Sequence, residues 1–374
     1  MTNLMPSFKP TDLWNAEPHT LAKIEIVRRY LYLWFFILGS KNNRLVYIDG
    51  FAGPGGYKNS NESSPIAALT AARMALERLG PINTRREWFF YFIERDTAFA
   101  ANLASVIAET PWPKEFNCDV QNGTFHQKLK NVLETMKKFP SGIPPTFAFI
   151  DPFGATGVPF SHVVEVLKYR SCEVLINLDS DGIGRLVAAA QAIEKNREHL
   201  DVIFGDSSWR ERLNSNTSMS TLCAEVLALY KSRLRSIPNV NYCFSFAMKT
   251  TREALNYHLV FASQHPLGLR KMKEAMKAVD QSGSYSFSDD AVGQTHFSFT
   301  EPGEPALRML HSLHGRWRPW KDFDDFALNE SPFGNPKSML MVLKSQGKVE
   351  VQWVGPSSTR GFPEDRIKLI KLNL

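Results

Sequence analysis

Apolar and polar positions follow two rhythms along this chain, and their alternation predicts the fold. From Pro18 to Leu38 the apolar residues Leu21, Ile24, Val27, Leu31, Trp34 and Ile37 or Leu38 recur every three to four positions. That is the stripe of an amphipathic helix, with His19, Lys23, Arg28 and Arg29 around it. Gly39 supplies a stop signal, and the helix is expected to cover the edge or top of a sheet. Unbroken apolar runs follow at Leu45 to Asp49, Glu87 to Glu94, Thr146 to Ile150 and Cys172 to Leu178. Runs without alternation read as strands buried on both faces. A shorter third strand is expected at Phe116 to Val120. Helical stretches separate the strands: Ile66 to Leu79, opened by Ser64-Pro65 and closed by Gly80, then Thr97 to Ala108, Thr124 to Lys138 and Pro159 to Leu167. Strands alternating with helices predict an α/β fold around a parallel, Rossmann-like sheet.

Beyond the fifth strand the rhythm changes. Residues 186–236 are mostly helical, with breaks near Gly205 to Ser208 and Asn214 to Ser218, and read as a helical insertion shaping a cleft. Val240 to Met248 and Tyr257 to Ala262 are expected as the last two strands of the sheet. His265-Pro266-Leu267-Gly268 then caps a helix from Leu269 to Val279 that carries Arg270, Lys271, Lys273 and Lys277, a basic face suited to phosphate. Residues 281–299, rich in Ser, Gly and Asp, read as a linker. From 300 to 374 the expected order is helix (Ala306 to His314), helix (Trp320 to Leu328), helix (Pro336 to Gln346), strand (Lys348 to Val354), loop and strand (Ile367 to Leu372). This is a winged-helix order, with Lys337, Ser338 and Lys344 on the third helix and Arg360 in the wing. The division is therefore an arm (1–17), an α/β domain (18–280), a linker (281–299) and a winged-helix-like domain (300–374).

Composition adds boundaries. The 374 residues are 43% hydrophobic and 22% charged, as in a globular protein with a large and a small unit. The net charge of +6 is compatible with a nucleic-acid partner without demanding one. Cys118, Cys172, Cys223 and Cys243 are scattered with no C-x-x-C pair, which predicts reduced thiols in a cytoplasmic setting and no zinc or iron–sulfur site. Met1 to Asp12 lacks the pattern of a signal peptide, and the apolar run Tyr30 to Leu38 is too short to span a bilayer, so no membrane partner is expected.

The candidate chemistry gathers at strand ends. The first strand runs into Asp49-Gly50-Phe51-Ala52-Gly53-Pro54-Gly55. Glycines there permit a tight turn and close approach of a ligand, and such a loop at the carboxyl end of a parallel strand is where open α/β sheets hold nucleotide-like molecules. Neither the dinucleotide fingerprint G-x-G-x-x-G nor a P-loop Lys-Ser/Thr is present. Glu94 ends the second strand, where a carboxylate can accept both hydroxyls of a ribose; Asp96 is its competitor, with capping of the next helix as the alternative for either. Asp119 is expected at the end of the third strand, as a base-reading acid or as a cap. The fourth strand ends in Asp151-Pro152-Phe153-Gly154. A strand-end carboxylate and a prolyl-held carbonyl can accept hydrogen bonds from an amino group, orient its lone pair and take up its proton, and an aromatic beside them can stack on a flat base. The bland alternative is a strand-ending turn. Asp181 and Arg185, after the fifth strand, face either a substrate or each other at a helix start.

These stations, in this order, resemble the motifs of S-adenosylmethionine (SAM)-dependent methyltransferases, D-x-F-x-G-x-G first and D-P-F-G fourth. D-P-F-G belongs with the [D/N/S]-P-P-[Y/F] motifs of enzymes that methylate amino groups, and it looks like the tetrapeptide of the tRNA guanine-N2 dimethylating enzymes. Longer segments resemble the three-Cys-motif partner (TcmP) family, a methyltransferase-like group encoded beside a radical-SAM-like protein that bears three cysteines. The matching pieces are Lys23 and Tyr30 to Trp34, Tyr47 to Gly55, Ser64 to Leu69, Phe149 to Gly154 and His265 to Lys273. The resemblance implies a class I methyltransferase sheet and SAM as cofactor on Asp49 to Gly55, with Glu94 on its ribose and Asp119 on its adenine. It also implies a catalytic or substrate-binding role for Asp151 to Gly154 and the three-Cys-motif protein as a partner, but no established substrate; the local D-P-F-G likeness to the tRNA enzymes points only to the class of acceptor, an amino nitrogen on a base in DNA or RNA. The alternative it leaves is a non-catalytic SAM-binding partner of that protein. Tyr57 to Ser63, polar and Asn/Ser-rich, matches no motif.

Overall fold

The computed structural model describes residues 13–374 apart from 82–85, 153, 155–157, 191, 214–216, 251–255, 281–285, 290–300 and 357–360. Five strand–helix repeats open the chain: α1 (Pro18–Gly39), β1 (Arg44–Asp49), α2 (Ser64–Leu79), β2 (Glu87–Glu94), α3 (Thr97–Glu109), β3 (Phe116–Asn122), α4 (Phe125–Lys137), β4 (Thr146–Ile150), α5 (Phe160–Leu167), β5 (Cys172–Leu178) and α6 (Ser180–Ala189). The expected helical insertion follows as α7 (Glu194–Phe204), α8 (Trp209–Arg212) and α9 (Met219–Arg235). Then come β6 (Tyr242–Lys249), β7 (Asn256–Ser263), α10 (Pro266–Val279) and β8 (Ser286–Ser288). The sheet order is β3-β2-β1-β4-β5-β7-β6-β8, with β7 antiparallel between β5 and β6 and the other pairs parallel. This is an α/β, Rossmann-like sheet whose strand order reverses between β1 and β4, the place where such sheets bind ligands.

Both faces of the sheet are covered. Leu45 and Tyr47 point with Phe90 and Phe147 into a core shared with α1, α2, α3 and α10. Their neighbours Val46 and Ile48 enter the opposite core, under α4, α5, α6, α7 and α9. Alternate side chains on buried strands thus feed two cores, so the sequence shows apolar runs and not alternation. On α1 the burial is broader than one stripe: Ile26, Tyr30 and Phe35 are fully buried beside Val27 and Leu31, while Leu21 is exposed. The helix is wedged on the sheet between α2 and α10. Lys23, expected on its solvated flank, is buried.

Three expectations are corrected by the backbone. The third strand does not end near Asp119 but continues to Asn122, paired with β2 through Glu94↔Asn122. The segment expected as a linker contains β8, which pairs with β6 through Met248↔Phe287; the rest of 281–299 lies largely outside the described residues. The basic face expected on α10 is only partly free, since Lys277 is exposed but Arg270 and Lys273 are buried against other elements or paired. Arg270 donates to the Gly334 carbonyl at 2.7 Å and pairs with Asp324, and Lys271 pairs with Glu274 at 2.9 Å.

The C-terminal segment folds as α11 (Gly303–Leu313), β9 (Trp317–Arg318), α12 (Trp320–Glu330), α13 (Lys337–Ser345), β10 (Val349–Trp353) and β11 (Ile367–Leu372), with its own antiparallel sheet β10-β11-β9. Strand β9 is an addition to the expected order, and Arg360 lies outside the described residues. This unit is fastened to α10 by Lys273, whose buried ammonium donates to the carbonyls of Ala327 (3.0 Å), Ser331 (2.7 Å) and Phe333 (3.0 Å) and lies 4.3 Å from the centre of the Phe244 ring. Burial, with Lys231 and Arg270 nearby, pushes this amine well below its ordinary value; three carbonyls and a ring face favour its charged form. Replacing Lys273 with Ala would leave three carbonyls without their donor. Lys273→Ala is expected to lower stability by on the order of 3 kcal/mol in urea unfolding; an unchanged midpoint would show that the contact contributes nothing.

Candidate functional site

The strand-end residues converge because β1, β2, β4 and β5 run parallel and release their carboxyl ends on one side. The loop after β1 is fixed from three directions. Gly50 N donates to Phe149 O at 2.9 Å, Ala52 N to Ile93 O at 3.0 Å, and Asn102 Nδ2 to Pro54 O at 2.6 Å. Gly50 has no room for a side chain, since a Cβ there would meet the Phe125 ring at 2.8 Å. Phe51 packs on the same ring at 5.8 Å between centroids. Gly53 adopts φ +67, and a Cβ on it would meet nothing within 4 Å, so this turn borders open space. Gly55 also adopts positive φ (+93). Gly53 N donates to Glu94 Oε2 at 2.8 Å, and the other Glu94 oxygen accepts from Asp96 N at 2.8 Å. The end of β2 therefore holds the glycine turn. Asp96 itself caps α3, accepting from Ala98 N and Phe99 N, which decides between the two acids.

Asp49 is fully buried beneath the loop. Its carboxyl accepts from Phe51 N and from Tyr47 Oη, each at 3.2 Å. Burial pushes it up to about 7, opposed by hydrogen bonds from Ser64, Phe51 and Tyr47 and reinforced by the neighbouring Asp151 charge.

Asp151 follows β4. Its Oδ2 is 2.6 Å from Lys23 Nζ of α1, and its Oδ1 accepts from Asn177 Nδ2 of β5 at 2.7 Å. Lys23 also lies 5.7 Å from the centre of the Tyr257 ring at the start of β7. One turn earlier on α1, His19 packs edge-on against the same ring, and its Nδ1 meets Asp289 Oδ2 at 2.7 Å, just past β8. Among the described residues, Asn177 Oδ1, Tyr257 Oη and Asp289 Oδ1 of this group have no hydrogen-bond partner. The Tyr57 and Tyr257 phenols are raised well above their ordinary value, by burial first and by Asp151 second.

The structure brings together Asp49, the loop through Gly55, Glu94, Asp151 and Pro152. Phe153 lies outside the described residues, while Gly154 (φ +68) faces open space. It does not bring in Asp119, which sits exposed in mid-strand opposite Tyr91 and accepts from Gln121. The residue at the end of β3 is Asn122, which donates to the carbonyls of Glu94 (3.1 Å) and Arg95 (3.0 Å). Asp181 is also withdrawn: it is buried and accepts from the Cys223 thiol, which burial pushes up to about 12. Below it His258, pushed down to about 4 by burial, meets Ser180 Oγ at 3.0 Å. Lys23, Asn177, Tyr257, His19 and Asp289 were not singled out as site residues; only their placement reveals them.

No family model matches the chain, and no curated protein does. Among solved structures it is similar to an O-methyltransferase from Bacillus cereus in complex with SAH, at 13% identity and a TM-score of 0.34, over 63% of this chain and 80% of that one. It is also similar to Trm1 from Pyrococcus horikoshii with S-adenosyl-L-methionine, at 10% identity and a TM-score of 0.38, over 97% and 93%. A third is the plantazolicin methyltransferase BamL with SAH, at 11% identity and a TM-score of 0.27, over 65% and 85%. Among the described residues, no helix is long and apolar enough to cross a membrane.

Asp49 gives a pH prediction. Because its folded pKa is raised, its contribution to stability is fully present below about pH 4 and is lost as pH rises through about 7. Asp49→Asn removes that loss. The stability of wild type minus that of Asp49→Asn should therefore fall by a few kcal/mol between pH 4 and 8 in parallel urea titrations; a constant difference would contradict the buried, protonated carboxyl.

Proposed function

We propose that this protein is a SAM-dependent methyltransferase acting on an exocyclic amine of a nucleobase in DNA or RNA. The observation that carries this reading is the pairing of two half-sites across the strand-order reversal. On the β1/β2 side, a glycine turn tied to Glu94 borders open space. On the β4/β5 side, Asp151 is held by Lys23 and Asn177, with Lys23 lying against the Tyr257 ring. The residues fit SAM: the loop from Asp49 to Gly55 would hold the methionine end and Glu94 the ribose hydroxyls. Bound there, SAM supplies an electrophilic methyl on a sulfonium centre.

The chain's own residues supply the rest. Asp151, oriented by Asn177 and Lys23, accepts a hydrogen bond from the acceptor N–H and aims the nitrogen lone pair. The same carboxylate is placed to take the proton that nitrogen releases. Tyr57, which is half-buried, would offer a flat base a ring to stack on. The C-terminal order helix–strand–helix–helix–strand–loop–strand supports a winged helix, whose α13 would present Lys337 to nucleic acid.

Calorimetric titration with SAM, and with NAD as control, tests the cofactor; tritiated SAM with total cellular RNA and DNA tests transfer. Wild type is expected to bind SAM and not NAD, and Glu94→Ala to bind SAM at least about tenfold more weakly. Asp151→Ala should abolish transfer and leave SAM affinity within a few-fold. Absence of SAM binding by folded protein would remove this reading.

A further inference from the structure

The Lys23–Asp151 contact says something about the acceptor that the motif does not. A strand-end carboxylate standing alone beside the transferable methyl would attract any cation, including an alkylammonium such as a lysine side chain. Here the carboxylate already has a cation. Lys23 Nζ is 2.6 Å from Asp151 Oδ2, and Lys23 is 8% exposed, so the pair is weakly screened by solvent. Lys23 also approaches from the acceptor side. It lies over Tyr257 of β7, whereas the glycine turn and Glu94 lie over β1 and β2, with β4 and Asp151 between. Among the described residues, the other ionisable groups near by are His19 with Asp289, which pair with each other, and Asp49, which is buried beneath the loop.

We infer that Lys23 is a specificity-determining residue: its ammonium neutralises Asp151 and restricts the acceptor to amines that carry no charge at neutral pH, the aromatic amines of nucleobases, against alkylammonium groups. This rests on the methyltransferase reading above and names the residue that enforces its substrate class. An uncharged aryl amine can still donate a hydrogen bond to Asp151, because a carboxylate oxygen that meets one donor keeps a second lone-pair site. A second ammonium brought to the same carboxylate would instead stand within a few ångströms of Lys23, and like charges at that range in a site shielded from water repel strongly.

The test uses two SAM analogues and needs no substrate. Sinefungin carries an alkylammonium where SAM carries its methyl; S-adenosylhomocysteine carries nothing there. Both are titrated calorimetrically into full-length wild type, Lys23→Met, Lys23→Gln, Lys23→Arg and Asp151→Asn. The quantity read is the ratio of the two dissociation constants. Loss of the Lys23 charge is expected to shift that ratio toward sinefungin by at least about tenfold. Lys23→Arg should keep the wild-type ratio, and Asp151→Asn should shift it the other way. Thermal melts confirm folding, and Lys23→Gln replaces Lys23→Met should the latter fail to fold. Retained S-adenosylhomocysteine binding with an unchanged ratio in the neutral variants would overturn the role of Lys23 and leave the cofactor reading standing. No S-adenosylhomocysteine binding by wild type would overturn the cofactor reading and this inference with it.

Discussion

An ionisable group taken out of water costs several kcal/mol unless its partners are fixed in place, and α1 meets that constraint at both ends of the sheet. Near its start, Lys23 reaches Asp151 where β4 ends. Two turns later, Tyr30 donates to Glu173 Oε2 at 2.6 Å, at the opposite end where β5 begins. Glu173 is buried, which raises its pKa, and Ser263 donates to its other oxygen at 2.6 Å. A helix carrying two such contacts cannot slide or rotate on the sheet without stranding a buried polar group. The aromatic packing of α1 works in the same direction: Phe35 stacks on Trp88 at 5.0 Å, and Tyr30 meets Phe147 and Phe261 at 5.2 and 5.3 Å. Asp151 is thus positioned by the whole length of α1, together with its own strand.

Much of this frame is legible in the sequence, and physical reasons separate what is from what is not. Strands β1, β2, β4 and β5 are covered on both faces and therefore appear as unbroken apolar runs with sharp polar ends; Asp49, Glu94 and Asp151 are those ends. Strand β3 lies at the edge of the sheet, so polar residues can continue it. Gln121 and Asn122 extend it past Asp119, and an apolar criterion stops too early. Strand β8 is short and serine-flanked, which resembles a linker until β6 is present to pair with it. Lys23 and Lys273 fail for one shared reason. A lysine within a helical pattern reads as solvated face, and only tertiary structure brings the carboxylate, or the three carbonyls, that make its burial tolerable.

The commitment of the α10 cations changes where an anionic partner would be held. Arg270 and Lys273 are held by Asp324 and by backbone carbonyls of α12 and the turn after it, so their charge fastens the C-terminal unit to the sheet domain. Tyr242 and Asn329 add to the same seam: Tyr242 Oη donates to Asp325 Oδ1 at 3.3 Å, and Cys243 N donates to Asn329 Oδ1 at 2.8 Å. Arg270 and Lys273 are thereby withdrawn from the basic face expected on α10, while Lys277 stays exposed on the same helix. The two units meet through ordered, buried hydrogen bonds, which favour a fixed relation between them over a flexible tether.

Glu94 raises a final question of capacity, because it already holds the glycine turn and, in the proposed function, would also bind the ribose. An ionised carboxylate offers about four lone-pair sites. The amides of Gly53 and Asp96 take one on each oxygen, at 2.8 Å apiece. One site per oxygen remains, which is what the two hydroxyls of a vicinal diol require. The carboxylate can therefore keep the loop and bind the diol together, with no exchange of partners. Hydrogen bonds to a charged acceptor are roughly twice as strong as neutral ones, so holding the turn and binding the ribose both depend on the same negative charge. An amide at this position would retain one accepting oxygen and replace the other with a donor facing a backbone N–H, disrupting the turn and the diol site in one step.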